Sequence, residues 1–295
     1  MSEILNGVVG YADGGKTVFV LESAGNGVVR SFSSAGKRVV RLKCIPVAYA
    51  VELYGGKSIG ADGWTGTASY VIRKDGRTLL VSNAHVMTNK PWADGTDYPD
   101  IISPGVADGG GAVVAKYAGH VKIRMIGVSE CPVMGAVAGI ANAISRALGR
   151  KTRLIPVAGE ANKVDVGWAE VLPGVQYELE AARLPDEKSV PLRGRIVGLL
   201  FAGSEADNLT LVCKMGNVLE AGAPGIEDCA VASVGERLMK VGRTTGFTEG
   251  KVIATDAVMS VSYGAGIAVF EDIYVVRGEG VKFSAPGDSG SPVFK

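Results

Sequence analysis

The end of the chain contains a serine in a setting that suits nucleophilic catalysis. Ser289 lies in the segment Gly287-Asp288-Ser289-Gly290, and the flanking glycines permit backbone conformations that other residues rarely adopt. Such a turn can expose a hydroxyl group while neighbouring N–H groups converge on a developing oxyanion. A serine nucleophile also needs a general base and a group that orients this base.

The chain has two histidines, and their sequence contexts differ. His85 follows an apolar strand pattern at residues 78–81 and stands in the polar corner Ser-Asn-Ala-His-Val. His120 stands between Gly119 and Val121, without a comparable setting. We therefore predict that His85 is the base and that His120 is an ordinary strand or surface histidine.

Asp165 is the candidate for the orienting acid. It interrupts the alternating apolar pattern of residues 162–169, Asn-Lys-Val-Asp-Val-Gly-Trp-Ala. An unpaired charge inside such a strand is costly, and an imidazole N–H as partner removes that cost. The alternative interpretation is an edge-strand residue that faces water.

The order of the three residues along the chain restricts the class of site. The α/β-hydrolases have the order Ser, Asp, His and the subtilisins have Asp, His, Ser, whereas this chain has His85, Asp165, Ser289. Both histidines precede the serine, which excludes the hydrolase order. The residue two positions after the nucleophile is Ser291, so the Gly-x-Ser-x-Gly motif is absent.

The three segments resemble the active-site segments of trypsin-like serine proteases, which have the chymotrypsin fold. The matching motifs are Ser-Asn-Ala-His-Val at 82–86, Asn-Lys-Val-Asp-Val at 162–166 and Gly-Asp-Ser-Gly-Ser-Pro at 287–292. Residues 240–252, Lys-Val-Gly-Arg-Thr-Thr-Gly-Phe-Thr-Glu-Gly-Lys-Val, are similar to a segment of the prokaryotic members. The resemblance extends from about residue 60 to the end of the chain.

This resemblance implies a serine endopeptidase that acts on a polypeptide through an acyl-enzyme. It gives His85, Asp165 and Ser289 the roles of a catalytic triad, and it gives the N–H groups of Gly287 and Ser289 the role of an oxyanion hole. It requires neither a metal nor an organic cofactor.

The resemblance also implies the walls of the primary substrate pocket. These residues are Phe283, Ser284 and Ala285 on one side and Phe201, Ala202 and Gly203 on the other. None is charged, so we expect a small or apolar residue before the scissile bond. In many animal members of the family, the aspartate at the position of Asp288 pairs with a newly freed N-terminus. No activation site of that kind is evident in this sequence, and the role of Asp288 stays open.

Two other functions are compatible with the same motifs. One is a catalytically inactive scaffold of the chymotrypsin fold, for example a virion protein. The other is an esterase that uses the same triad.

Composition and pattern predict a mainly β protein. Glycine, at 42 residues, has about twice its usual share, and strand patterns outnumber helical ones. We expect two antiparallel six-stranded β-barrels of chymotrypsin type. One helix, near residues 133–148, is predicted from the apolar residues Val133, Val137, Ile140, Ile144 and Leu148. We expect it to pack on the first barrel, with a partner-binding surface as the alternative.

Only six residues follow Ser289, whereas the family normally has further strands after the nucleophile. Residues 194–204 and 208–213 resemble those strands but precede Lys240. We therefore predict a circularly permuted second barrel, in which the strand ending at Lys295 lies beside the strand starting near Arg193. A truncated or processed chain is the competing explanation.

The expected division is a β-rich extension at 1–45, a first barrel at 46–182 and a second barrel at 183–295. Residues 10–17, Gly-Tyr-Ala-Asp-Gly-Gly-Lys-Thr, match the phosphate-binding pattern Gly-x-x-x-x-Gly-Lys-Thr. That motif requires a following helix, but the residues after Thr17 are β-rich. We therefore predict a hairpin here.

The net charge of +1 gives no electrostatic reason to expect nucleic acid or an anionic membrane as a partner. The first residues lack the pattern of a signal peptide, which favours a cytoplasmic or virion-associated location. Cys44, Cys131, Cys213 and Cys229 are widely spaced, which favours buried thiols over a zinc site and leaves a disulfide open. The oligomeric state stays open.

Overall fold

The structure is a computed structural model, and it describes residues 8–12, 17–21, 33–42, 52–61, 63–94, 99–126, 132–147, 149 and 160–295. The chain divides into two compact units, residues 1–49 and 50–295. The predicted mainly β class is confirmed, with two extended β systems in the larger unit.

The smaller unit contains a three-stranded sheet in the order β1 (Val8–Ala12), β2 (Thr17–Leu21), β3 (Arg38–Leu42). Strands β1 and β2 are antiparallel, with Ala12 opposite Thr17, so the predicted hairpin is confirmed. Strand β2 begins at Thr17, where a phosphate-binding loop would instead require the start of a helix. The intervening residues 13–16 lie outside the described part of the chain.

The first sheet of the larger unit has ten strands in the order β13-β12-β7-β8-β11-β10-β9-β5-β6, with β4 paired to β12. The strands are β4 (Glu52–Gly55), β5 (Ser58–Ala61), β6 (Trp64–Thr67), β7 (Tyr70–Lys74), β8 (Arg77–Ser82), β9 (Asp100–Ser103), β10 (Ala112–His120), β11 (Gly167–Val171), β12 (Gln176–Arg183) and β13 (Ser189–Pro191). The expectation of six antiparallel strands was wrong in two respects. The sheet is larger, and β12 runs parallel to both β4 and β7.

One hairpin of this sheet places the predicted base. Strands β7 and β8 are joined at Asp75 and Gly76, which both have positive φ angles of 50° and 75°. Such a turn matches the twist of the strands that it joins. After β8 the chain enters the short helix α1 (Ala84–Met87), which carries His85. Strand β8 also pairs with β11, which begins two residues after Asp165.

The second β system is a closed barrel of six strands in the order β14-β15-β18-β17-β16-β19. The strands are β14 (Ile196–Ser204), β15 (Leu209–Lys214), β16 (Arg237–Gly242), β17 (Gly246–Ser262), β18 (Ile267–Gly278) and β19 (Pro292–Phe294). The short helix α3 (Met215–Glu220) follows β15.

The neighbours of β19 agree with the adjacency that a permuted barrel requires. Strand β19 is antiparallel to β14, with Phe294 opposite Ile196, and the Lys295 N–H donates to the Arg195 carbonyl at 3.0 Å. Opposed residues in such a pair are about 5 Å apart. A short hairpin could therefore join these two strands.

A helix, α2 (Pro132–Ala147), forms where the apolar periodicity predicted it. We expected this helix to pack on the first barrel through its apolar residues. That prediction was wrong, because Val137, Ile140 and Ile144 are 51%, 64% and 55% exposed. The side chains of Val133 and Leu148 lie outside the described residues. No helix in the described part of the chain is both long enough and apolar enough to cross a membrane.

One apolar cluster contains buried residues of both β systems. Tyr70 and Val81 come from the first sheet, and Leu199 and Phe270 from the barrel. Burial of such side chains stabilises the fold by about 25 cal/mol per Å² of apolar surface. The shared cluster fixes the first sheet against the barrel, and the candidate site lies at this junction.

Candidate active site

The side chains of His85 and Asp165 are in contact. His85 Nδ1 lies 2.6 Å from Asp165 Oδ2, and because an ionised carboxylate can only accept, Nδ1 carries the proton. The Asp165 side chain is fully buried, whereas that of His85 is 22% exposed. The imidazole is thus fixed at one nitrogen and accessible at the other.

The buried carboxylate of Asp165 has further donors besides the imidazole. Its Oδ1 accepts from the backbone N–H of Ala84 at 2.7 Å and from that of His85 at 3.3 Å. Its Oδ2 also accepts from the hydroxyl of Tyr263 at 2.7 Å. These bonds compensate the loss of hydration that makes a buried charge costly. The alternative of an edge residue facing water does not describe this position.

Tyr263 was not identified from the sequence. It lies just after β17, in the connection to β18, and its ring meets that of His85 edge to face at 5.8 Å between centroids. Burial, and then the charge of Asp165, raise the pKa of the Tyr263 phenol well above its usual value. The phenol therefore remains a protonated donor at neutral pH. The residue is distant in sequence, so only the folded hairpin brings it to the carboxylate.

His120 takes no part in this contact. It is the last residue of β10, and its Nδ1 contacts the hydroxyl of Tyr117. Burial lowers the pKa of the His120 imidazole. The histidine that contacts Asp165 is therefore His85, as predicted for the base, and not His120.

The turn that carries Ser289 is held against the first sheet. Gly287 and Gly290 have φ angles of 97° and 93°, in the region that favours glycine. A Cβ atom on Gly290 would lie 2.0 Å from the Thr67 carbonyl oxygen. The Thr67 N–H donates to the Ser289 carbonyl at 2.8 Å, which fixes the turn on β6.

Two backbone N–H groups of this turn are unengaged. Within the described part of the chain, the N–H groups of Gly287 and Ser289 donate to no protein acceptor, whereas that of Asp288 bonds to the Ala285 carbonyl at 3.0 Å. Both residues are partly exposed. Because backbone donors are rarely left unpaired, these two groups suit an oxyanion.

The third contact of the predicted triad is open in this structure. Among the described residues, no hydrogen bond joins the His85 imidazole to the Ser289 hydroxyl. The two side chains face neighbouring cavities that share Ala202 and Gly203 as lining residues. Catalytic hydrogen bonds are often long in unliganded sites and shorten when substrate binds.

A cavity of about 110 Å³ lies beside Ser289. Four of the residues predicted for the primary pocket line it: Ala202, Gly203, Ser284 and Ala285. Phe283 does not line this cavity, because its side chain is fully buried in the barrel core. Phe201 lines the neighbouring cavity.

Three further residues line the smaller cavity and were not predicted from the sequence: Leu200, Glu205 and Pro286. Glu205 is charged and pairs with Lys282 at 2.8 Å. The interpretation of an uncharged pocket was therefore incomplete.

The cavity on the His85 side is larger, about 560 Å³. Its lining is rich in apolar and aromatic side chains, including Trp64, Trp92, Phe201, Leu209, Met259 and Val261. Met259 and Val261 come from the distal part of β17. A cavity of this kind suits a bulky apolar group.

Residues 205–294 match the sequence profile of the Nal1 C-terminal domain. A comparison with curated protein sequences gives no match. Solved structures with similar folds include Thermobifida fusca protease A, with 11% identity over 83% of this chain and 78% of that chain and a TM-score of 0.39. Cellulomonas bogoriensis chymotrypsin has 14% identity over 82% and 76%, also with a TM-score of 0.39. What the site can do therefore has to follow from its own geometry.

Proposed function

We propose that the chain is a serine endopeptidase that hydrolyses peptide bonds through an acyl-enzyme. The observation that carries this proposal is the contact of His85 Nδ1 with the fully buried Asp165, at 2.6 Å. The buried carboxylate accepts from four donors, one of which is the partly exposed imidazole, and such an arrangement has little value as a surface feature. It does suit a base whose tautomer has to be fixed.

In this mechanism Ser289 Oγ attacks the carbonyl carbon of the scissile bond, and His85 Nε2 takes the hydroxyl proton. The tetrahedral intermediate collapses when the C–N bond breaks and His85 transfers this proton to the leaving amine. Water then attacks the resulting ester by the same route, which releases the acid and restores Ser289. Asp165 stays ionised and offsets the charge of the imidazolium.

The N–H groups of Gly287 and Ser289 stabilise the oxyanion of each tetrahedral intermediate. This role is supported by the observation that both N–H groups donate to no acceptor among the described residues. Both belong to partly exposed residues in the turn between Gly287 and Gly290. Removal of one such donor typically lowers kcat by a factor of about 10² to 10³.

The position of β14 supports a permuted second barrel. The Gly290 N–H donates to the Leu200 carbonyl at 2.8 Å, and the Leu200 N–H donates to the Ser291 carbonyl at 3.0 Å. The same strand supplies Ala202 and Gly203 to the cavity beside Ser289. We infer that β14 takes the place of the strand that follows the nucleophile in the resembled family.

One observation favours the inactive scaffold as a second candidate. The His85 imidazole and the Ser289 hydroxyl share no hydrogen bond in the structure. If substrate binding does not close this gap, the chain retains the fold and the His85–Asp165 pair without turnover.

A fluorophosphonate probe separates the two candidates, because it modifies only an activated serine. Intact mass measurement should show one added group on the wild type and none on Ser289→Ala or His85→Ala. Cleavage of a casein substrate should be lost in the same two variants. A folded wild type that neither takes the probe nor cleaves casein would establish the scaffold.

Two variants control for local and general effects. Ser284→Ala removes the other hydroxyl at the small cavity, and His120→Ala removes the other histidine. Both should keep single labelling. Turnover of an ester substrate without any peptide cleavage would identify an esterase.

A further inference from the structure

The turn between β14 and β15 carries two carboxylates that line different cavities. Glu205 lines the cavity of about 110 Å³ beside Ser289, and Asp207 lines the cavity of about 560 Å³ on the His85 side. Both acidic residues are exposed. One short turn therefore contributes a carboxylate to each cavity.

The two carboxylates differ in their partners. The Lys282 ammonium donates to Glu205 Oε2 at 2.8 Å, which neutralises the charge of this residue. Asp207 Oδ2 accepts from the Ser204 hydroxyl at 2.6 Å, which is a neutral donor. Within the described part of the chain, Asp207 forms no ion pair with a lysine, arginine or histidine. The charge of Asp207 is therefore available to a ligand.

The larger cavity contains no other formal charge of this kind. Among the described residues that line it, Asp207 is the only aspartate or glutamate, and none is a lysine or an arginine. Trp64, Trp92 and Phe201 provide aromatic surface, and Leu209 provides aliphatic surface. A group that fills this cavity thus meets apolar walls and a single carboxylate.

The turn that carries Asp207 is anchored at its next residue. Asn208 has a φ angle of 52°, and its side-chain amide donates to the carbonyls of Gly278 and Val281 at 3.2 and 3.0 Å. Its Oδ1 accepts from the Phe283 N–H at 3.0 Å. A carboxylate on an anchored turn needs little ordering when a ligand binds, and this favours affinity.

We propose that Asp207 is a specificity-determining residue that selects an arginine side chain of the polypeptide substrate in the larger cavity. This inference rests on the proposed endopeptidase function and names its substrate class. The guanidinium pairs with the Asp207 carboxylate, while its planar face and its methylene stem pack on the aromatic walls. An apolar side chain of the same length leaves the carboxylate without a counter-charge.

The separation of the two cavities restricts which substrate residue is selected. They share only Ala202 and Gly203 among their described lining residues. The small cavity lies beside Ser289 and suits the residue directly before the scissile bond. Arginine selection therefore applies to a different residue of the substrate, the one that enters the cavity on the His85 side.

The test compares kcat/KM for peptides that carry arginine, norleucine or glutamate at each position near the scissile bond. At one position other than that directly before this bond, arginine should exceed norleucine by about tenfold at low salt. Added salt should reduce this preference, because the ion pair is exposed.

Two substitutions of Asp207 predict opposite selectivities. Asp207→Asn keeps an acceptor for the Ser204 hydroxyl but removes the charge, so the preference for arginine should fall to about twofold or less. Asp207→Lys should instead produce a preference for glutamate at the same position. The exposed Asp186→Asn is the matched control and should keep the wild-type preference. Thermal unfolding shows whether each variant is folded.

A binding measurement tests the cavity without turnover. The indole groups of Trp64 and Trp92 line it, so their fluorescence should respond when a peptide binds. In the Ser289→Ala variant of the full chain, the arginine peptide should bind about tenfold more tightly than the norleucine peptide. The additional change Asp207→Asn should remove this difference.

The outcomes separate the two proposals. A wild type that takes no fluorophosphonate probe and cleaves no peptide overturns the proposed function, and the fluorescence titration then still tests whether Asp207 selects arginine. Equal binding of the arginine and norleucine peptides overturns the inference alone. The inference also fails if the arginine preference persists unchanged in Asp207→Asn, or if it occurs only directly before the scissile bond.

Discussion

The hydroxyl of Tyr263 donates to the same oxygen of Asp165 that contacts the His85 imidazole, at 2.7 Å against 2.6 Å. One carboxylate oxygen therefore connects the barrel hairpin to the helix that carries the base. Because the phenol remains protonated at neutral pH, it is a permanent donor. The hairpin thus restricts the carboxylate that orients His85.

Tyr263→Phe should lower kcat by about a factor of ten while KM stays close to the wild-type value. A hydrogen bond to a charged group contributes about 1.5–3 kcal/mol, and a loss of about 1.4 kcal/mol in the transition state corresponds to tenfold. Steady-state kinetics with a peptide substrate checks this. Tyr274→Phe is the control, because its hydroxyl accepts from the Ala232 N–H in the same barrel. An unchanged kcat for Tyr263→Phe would show that the bond has no role in orientation.

Asp165→Asn should lower kcat by a factor on the order of 10⁴. The carboxamide keeps an acceptor for the Ala84 N–H, but its NH₂ group opposes the proton on His85 Nδ1. The imidazole would then adopt the wrong tautomer. Single-turnover kinetics of both Asp165→Asn and the control Asp272→Asn measures this effect. Asp272 pairs with Lys214, so the control removes a paired carboxylate charge away from His85 and should keep wild-type turnover. Wild-type turnover in Asp165→Asn would remove Asp165 from the mechanism.

The small cavity beside Ser289 should select small residues before the scissile bond. In a peptide library, kcat/KM for alanine at this position should exceed that for phenylalanine by about tenfold or more, the range seen for size selection in apolar pockets. Ala202→Val should lower the turnover of valine peptides more than that of alanine peptides. A preference for lysine would instead show that the Glu205 carboxylate sets specificity.

Gly290→Ala should lower the free energy of unfolding by about 3–5 kcal/mol. The added methyl group would meet the Thr67 carbonyl oxygen at 2.0 Å, and the left-handed backbone adds its own cost. Gly76→Ala is the matched control, since its φ angle is 75° and no atom lies within 4 Å of the added Cβ. It should cost about 1 kcal/mol. Equal urea midpoints for the two variants would contradict the close approach to Thr67.

Asp108→Asn should change how stability depends on acid. The hydrogen bond from Arg243 holds the pKa of Asp108 below its usual value, although partial burial opposes this. A lowered carboxyl pKa contributes stability above the unfolded pKa of about 3.9, and this contribution is lost as pH falls through the folded pKa.

The difference in unfolding free energy between wild type and Asp108→Asn should therefore be constant from about pH 7 to pH 5 and should shrink below about pH 4. We expect about 0.5 kcal/mol, since the pair is partly exposed. Urea titrations at several pH values measure it. The exposed Asp186→Asn is the control, and its difference from wild type should not follow this pH dependence.

The sequence by itself determined the properties that depend on local chemistry and local period. The residue types and order of His85, Asp165 and Ser289 were sufficient to nominate a site, and the structure places the first two in contact. The β1–β2 hairpin and helix α2 followed from the β-rich residues after Thr17 and from apolar spacing. The two glycines of the nucleophile turn also have the positive φ angles that their residue type suggested.

Only the tertiary structure decided which distant groups meet. Tyr263 carries no local signal, because a tyrosine in a connection between strands is ordinary until folding buries it beside a carboxylate. For the same reason, spacing located α2 but misplaced its apolar face, and Phe283 entered the barrel core instead of the pocket. A pattern fixes the period of a segment, whereas the partner of each face depends on contacts between residues far apart in the chain.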